Sequence, residues 1–156
     1  KGIPENEAII IGCEGNFHGR TITIISISTD PEAHKDYGPY TPGIEVIPYN
    51  DAEALEKVQK EKGDKVAGFL VEPIQGEAGV VVPDDGYLKT CYDLCKQYNV
   101  LFVADEVQTG IARTGKMLAC EHEDVRPDIL IVITVMMVII TISYFVCKAR
   151  KIKFKR

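Results

Sequence analysis

What the chain lacks narrows it first. Its five cysteines (Cys13, Cys91, Cys95, Cys120 and Cys147) fall into no disulfide or zinc spacing, which excludes a small cross-linked or metal-stapled scaffold. Cys91 and Cys95 lie four apart on a predicted helix and share a face, as buried thiols in a reducing compartment would. No secretory signal opens the chain: Lys1-Gly2-Ile3-Pro4 is polar and lacks an initiator Met, so the chain reads as a fragment at its start. No internal repeat or low-complexity tract precedes Asp128. Beyond it acid disappears: residues 129–156 hold six basic side chains and no Asp, Glu, Gly or Pro. The first 128 residues therefore carry all 23 acidic residues and twelve of the 18 basic ones, a formal charge of −11. Such an acidic body gives no footing to nucleic acid.

What is present is ordinary in bulk and pointed in detail. A length of 156 residues, with 46% hydrophobic and 26% charged, suffices for one globular core. The chain is organised around Val100-Leu101-Phe102-Val103-Ala104-Asp105-Glu106-Val107-Gln108-Thr109-Gly110. An apolar run of strand length, residues 100–104, ends in two carboxylates, a glutamine and a glycine. Buried parallel strands deliver polar side chains in this way to the carboxyl edge of a sheet, where open α/β proteins bind ligands. Two acids after five apolar residues are costly unless cations or hydrogen-bond donors meet them. A strand running into a solvated turn is the plainer alternative.

Residues 66–71 repeat the design, ending on Glu72-Pro73 and the loop Gln75-Gly76-Glu77-Ala78-Gly79. Further strands are predicted at 8–12 and 44–47. A helix capped by Asn50 or Asp51 carries Glu53 and Glu56 early and Lys57, Lys60 and Lys62 late, the order a helix dipole favours, and ends at Gly63-Asp64. A second helix over 87–98 has the apolar stripe Leu88, Cys91, Tyr92, Cys95. Residues 29–43 read as loop, residues 121–128 as polar, and the isoleucine-rich run 22–27 has no clean period. Strand, helix, strand in this order predicts a right-handed crossover. It should align Glu72, Glu77, Asp105 and Gln108 along one sheet edge. Phe17-His18-Gly19-Arg20, after a glycine turn, offers an aromatic to stack on a flat ring, a histidine, and an arginine to fork onto a carboxylate or phosphate. A core phenylalanine, a structural histidine and a surface arginine are the alternatives.

These stretches, taken together, resemble the class-III pyridoxal-phosphate aminotransferases. The matching words are Gly15-Asn16-Phe17-His18-Gly19-Arg20-Thr21, then Val71-Glu72-Pro73-Ile74-Gln75-Gly76-Glu77-Ala78-Gly79-Val80, then Ala104-Asp105-Glu106-Val107-Gln108-Thr109-Gly110, then Arg113-Thr114-Gly115 and Arg126-Pro127-Asp128. Ser28-Thr29-Asp30-Pro31, Gly38-Pro39-Tyr40, Ile47-Pro48-Tyr49-Asn50-Asp51 and Ala78 are most similar to the subgroup that includes ornithine aminotransferase, ahead of acetylornithine or 4-aminobutyrate relatives.

The resemblance covers residues 1–130. It implies a partial large domain of fold type I, three-layer α/β with a mostly parallel sheet. It also implies pyridoxal 5′-phosphate as cofactor, amino acid and 2-oxo acid substrates, and a homodimer in the mitochondrial matrix or cytoplasm. The reaction it implies moves the terminal amino group of ornithine to 2-oxoglutarate. By the same resemblance Asp105 meets the ring nitrogen, Gln108 the ring's phenolic oxygen and Phe17 the ring face. Glu72 lies near the cofactor, Arg20 takes a substrate carboxylate, and Glu77 pairs with a later arginine.

Where the resemblance places the lysine that holds the cofactor, residue 134, this chain has threonine, preceded by Ile133 in place of glycine. Threonine has no amine to condense with the cofactor's aldehyde. The resemblance puts the phosphate-binding loop before Lys1, and the arginine partner and small domain after Arg156. This polypeptide alone is therefore expected to be inactive. Residues 131–156 form a divergent tail. Residues 129–147 carry no charge, the lower limit for a membrane span, and a basic flank follows. Read-through past an exon end, rich in residues with A/T-rich codons, is the other reading of that tail. It would make the product truncated, with membrane tethering or subunit pairing as the non-catalytic alternatives.

Overall fold

The computed structural model describes residues 1–132. Thr134, and the tail beyond residue 132 with most of the uncharged run, lie outside the described residues. Strands β1 (Ile9–Cys13), β2 (Ile44–Ile47), β3 (Val66–Val71), β4 (Leu101–Asp105) and β5 (Ile129–Ile131) form one sheet. Their order is β2-β1-β3-β4-β5 and every pairing is parallel. Parallel strands need crossovers: helix α3 (Ala52–Lys62) lies on the connection from β2 to β3, and α4 (Tyr87–Gln97) on that from β3 to its neighbour β4. Asp51 accepts the backbone N–H of Ala54 and so caps α3.

Both helices cover the face carrying Ile11, Cys13, Phe69, Val71, Phe102 and Ala104, all within the main buried cluster. The predicted stripe of α4 is buried at Leu88, Cys91 and Cys95, with Tyr87 joining it. Tyr92 meets Phe102 edge to face at 5.7 Å, and Phe69 meets Phe102 at 6.0 Å. The opposite face receives the short helix α1 (Ile22–Ile25) and the residues after it. Gly12 makes this possible: a Cβ there would sit 2.4 Å from the Ile27 side chain. The isoleucine run thus resolves as one helical turn with Ile25 and Ile27 buried, because each takes a place over the sheet.

Strand limits at β2 and β3 match the sequence reading, while β1 and β4 end one residue later, on Cys13 and Asp105. In both cases the polar tip still pairs, Cys13 with Ile47 and Asp105 with Ile131. The predicted loop 29–43 contains a second single turn, α2 (Pro31–His34), capped by Asp30. The predicted polar stretch begins inside a 3₁₀ helix, Ala119–Glu123, with Ala119 and Cys120 buried. Cys13, Cys91, Cys95 and Cys120 are free and buried, and burial pushes the Cys13 and Cys95 thiols up to about 12. No helix among the described residues is long and apolar enough to cross a membrane.

Asp128 fastens the far side of the sheet. Its carboxylate accepts the Phe102 backbone N–H at 2.8 Å and pairs with Lys96, while its own N–H donates to Phe102 O at 2.9 Å. Burial pushes this carboxyl up, but Lys96 and the Phe102 N–H outweigh it and hold it below its ordinary value. Stability from a depressed carboxyl is present above the unfolded value and lost as pH falls through the folded one. Asp128→Asn should therefore lower the urea midpoint at neutral pH, with the difference closing below pH 3.8. An unchanged difference across that range would show that the pair contributes no charge-dependent stability. Phe102→Ala, which empties a fully buried site, should cost about 3–5 kcal/mol at every pH.

Candidate active site

Side chains from the ends of β1, β3 and β4 converge because these strands are parallel and adjacent, so their carboxyl ends open on the same edge. Val71 pairs with Ala104, which sets the next residues, Glu72 and Asp105, side by side on neighbouring strands. Both are buried, and neither is left without partners. Asp105 Oδ2 lies 2.7 Å from His18 Nδ1, and Asp105 Oδ1 accepts the Val107 N–H at 3.1 Å. Glu72 Oε2 accepts the Phe17 N–H at 3.0 Å and Oε1 the Gly76 N–H at 3.5 Å. Desolvation raises the Glu72 carboxyl above its usual range. The Phe17 N–H and the charge on His18 oppose that rise, and the neighbouring Asp105 adds to it.

The segment after β1 is pinned from below. Asn16 Nδ2 donates to Cys13 O at 2.6 Å and Ile27 O at 2.8 Å, closing the turn that presents Phe17 and His18. Gln75, buried, donates to Glu14 O at 2.6 Å from the neighbouring loop. Tyr49 donates to the carbonyls of Glu72 and Pro73 at 3.1 and 3.0 Å and fixes the tip of β3. Phe17 stays 36% exposed, with the Arg20 guanidinium 5.4 Å from its ring centre. Gln108 Nε2 donates to Glu77 Oε1 at 3.3 Å.

All six residues singled out from the sequence thus lie at or just after the carboxyl ends of three adjacent strands. They are linked in two sets: Asp105 through His18 to its neighbour Phe17, and Phe17 in turn to both Glu72 and Arg20; separately, Gln108 to Glu77. A cavity of about 280 Å³ opens beside them, lined by Asn16, Phe17, Thr29, Asp30, Glu77 and Ala78. It touches Phe17 and Glu77 but not Asp105, Gln108 or Arg20. A larger cleft, about 600 Å³, lies at the other edge of the sheet among Lys62, Gly63, Lys65 and Tyr98. Its lining is mostly surface lysines and acids, so the chemistry favours the strand-tip site.

Two features escaped the sequence reading. His18 stood there with no assigned partner, yet it pairs with an acid 87 residues away. Glu106 appeared there as half of a costly acid pair. It is 1% exposed and accepts Thr109 Oγ1 at 2.6 Å and the N–H groups of Ala119 and Cys120, each at 2.9 Å. Strand alternation was the available signal, since successive residues point to opposite faces.

The donor set fits a protonated aromatic nitrogen. A carboxylate offers about four lone-pair positions; Asp105 uses two of them on Val107 and His18, so acceptor capacity remains. The half-exposed Phe17 ring supplies an apolar face alongside. No group of three or more His, Cys, Asp or Glu able to hold a metal ion occurs among the described residues.

The model of the aminotransferase class-III family matches residues 1–150. An ornithine aminotransferase of Schizosaccharomyces pombe is 60% identical over 139 residues, covering 84% of this chain and 32% of that protein. The mitochondrial ornithine aminotransferase of Arabidopsis thaliana is 59% identical over 131 residues, 84% and 28%. The crystal structure of ornithine aminotransferase from Toxoplasma gondii superposes with a TM-score of 0.80 at 51% identity, over 83% of this chain and 30% of that one. Acetylornithine aminotransferase from Elizabethkingia anophelis gives 0.67 at 53% identity, over 84% and 28%. The chain thus spans about a third of the length of the relatives it matches.

Because burial raises the Glu72 carboxyl, the folded state loses stability as pH climbs past 4.5 and through the raised value. In Glu72→Gln that loss disappears. Urea midpoints of the variant and the parent should diverge in the variant's favour as pH rises above 4.5, and the gap should level off once the raised value is passed. A constant offset would contradict the raised value.

Proposed function

Because the chain belongs to the class-III aminotransferase family, we propose that its described residues form the cofactor-binding part of a transaminase. The whole protein would move the terminal amino group of ornithine to 2-oxoglutarate by way of pyridoxal 5′-phosphate. One observation carries this reading: a buried acid at the tip of a central parallel strand, braced by His18 and still able to accept, stands among Phe17, Arg20 and Gln108.

When bound, the cofactor supplies a ring that accepts electrons from the substrate carbon. The chain's own residues make that ring effective. Asp105 holds a proton on the ring nitrogen, since a buried anion favours the cationic form of its neighbour. Phe17 stacks on the ring face, and Glu72 fixes Phe17 through its backbone N–H. Gln108 turns its amide toward the ring's phenolic oxygen. Arg20 receives a substrate carboxylate as a planar fork, leaving its place over Phe17. Glu77, now shared with Gln108, pairs with an arginine contributed from outside this chain. A homodimer and a mitochondrial location, the latter carried in the name of the Arabidopsis relative, belong to the same proposal. The similarity to acetylornithine aminotransferase favours a second donor, acetylornithine, within the same chemistry.

The test compares two products. The 156-residue chain should not transaminate, because residue 134 is threonine. The full reading frame, with a lysine restored after Arg126-Pro127-Asp128 and β5, should convert ornithine and 2-oxoglutarate and prefer ornithine to acetylornithine. In that protein Asp105→Asn should lower kcat by about two to three powers of ten. Turnover by the short chain would refute the role given to position 134, and full activity in Asp105→Asn the role given to the acid. A transcript running from codon 130 into Gly-Lys-Ala would remove the tail as a membrane segment.

A further inference from the structure

Glu106 is the most deeply buried acid among the described residues, and the functional reading gives it no task. It stands next to Asp105 but faces the other side of the sheet, toward Ala119 and Cys120. Its side chain gathers three donors. Oε2 accepts Thr109 Oγ1 and the Ala119 N–H, and Oε1 accepts the Cys120 N–H. Its backbone holds two more elements, with its N–H on Ile131 O of β5 and its carbonyl receiving the Gly110 N–H, at 2.9 and 2.8 Å. No ion pair among the described residues includes it. Three donors on one buried carboxyl group tie three separate points of the chain to it, which makes it a clamp.

What it clamps is the excursion from β4 to the 3₁₀ helix. That excursion begins with Val107, whose N–H binds Asp105, and Gln108, which reaches Glu77. It then passes through Ile111 and Ala112, two successive non-glycine residues with φ of 58° and 64°. Left-handed backbone at both positions is unfavourable and persists only where surrounding contacts over-determine it. Glu106 supplies such contacts at both ends, residues 109–110 and 119–120. Gly110 admits the closure, since a Cβ there would lie 2.8 Å from the Glu106 carbonyl.

We propose that Glu106 is a positioning residue of the cofactor site: its buried carboxylate locks the turn that carries Val107 and Gln108 against Asp105. This rests on the transaminase reading above. Glutamine at 106 keeps the volume but turns an N–H₂ toward at least one of the three donors, so the turn loosens while the sheet remains. Thr109→Val removes one donor and buries no unpaired charge.

The experiment uses the full-length protein loaded with pyridoxal 5′-phosphate. It reads the cofactor dissociation constant and the pH at which the bound chromophore changes its visible band. Glu106→Gln should weaken cofactor binding at least about tenfold and shift that pH, with Thr109→Val moving both in the same direction by less. Gln108→Ala should reproduce the spectral shift, because Glu106 acts through it. If Glu106→Gln melts earlier while binding and titration stay as in the parent, the clamp is only structural and the proposal falls. If that variant does not fold, Thr109→Val decides by the same two readouts. If Gln108→Ala and Asp105→Asn also leave the chromophore unchanged, the transaminase reading itself has failed.

Discussion

A carboxylate removed from water must be met by donors or cations, and three of them are removed together here. Glu72, Asp105 and Glu106 sit at the tips of two adjacent parallel strands and are all buried. Unpartnered, each would cost several kcal/mol. The surrounding loops are shaped to prevent this. The turn after β1 brings the Phe17 N–H to Glu72 and His18 to Asp105, and the 3₁₀ helix after β4 brings two N–H groups to Glu106. The same bonds that satisfy the acids therefore set the positions of Phe17, Val107 and Gln108. Satisfying the buried charge and building the site are one structural act.

This coupling explains the division of labour between neighbours. Asp105 and Glu106 are adjacent in sequence but face opposite sides of the sheet. Asp105, held by His18 and the Val107 N–H, keeps acceptor capacity at the strand tip. Glu106 is buried on the other side and takes three donors, two backbone N–H groups and one hydroxyl. Glu72 lies between these extremes, with desolvation raising its carboxyl while the Phe17 N–H resists. Three chemically similar side chains thus differ in availability because their donors differ.

Much of this was legible in the sequence, for reasons that can be located. β2 and β3 were readable to the residue because turn signals or charges bound both apolar runs. β1 and β4 lie one residue further along the chain than their apolar runs, since a polar tip still pairs with its neighbour. The alignment of Glu72 with Asp105 followed from two apolar runs ending alike. The partners of those acids did not follow, because His18 meets Asp105 across 87 residues and no spacing rule reaches that far. The single turns at Ile22–Ile25 and Pro31–His34 and the 3₁₀ helix at Ala119–Glu123 were hidden because each is too short to show a period. The motif words supplied roles that geometry alone left open, above all for Gln108 and Arg20.

The central claim is that Asp105 keeps a ring nitrogen protonated. The direct measurement is the ¹⁵N chemical shift of ring-labelled pyridoxal 5′-phosphate bound to the full-length protein near pH 7. A protonated pyridinium signal should appear and persist when the pH is raised above the free cofactor's titration. A signal for unprotonated nitrogen at neutral pH, in a protein with Asp105 intact, would contradict it.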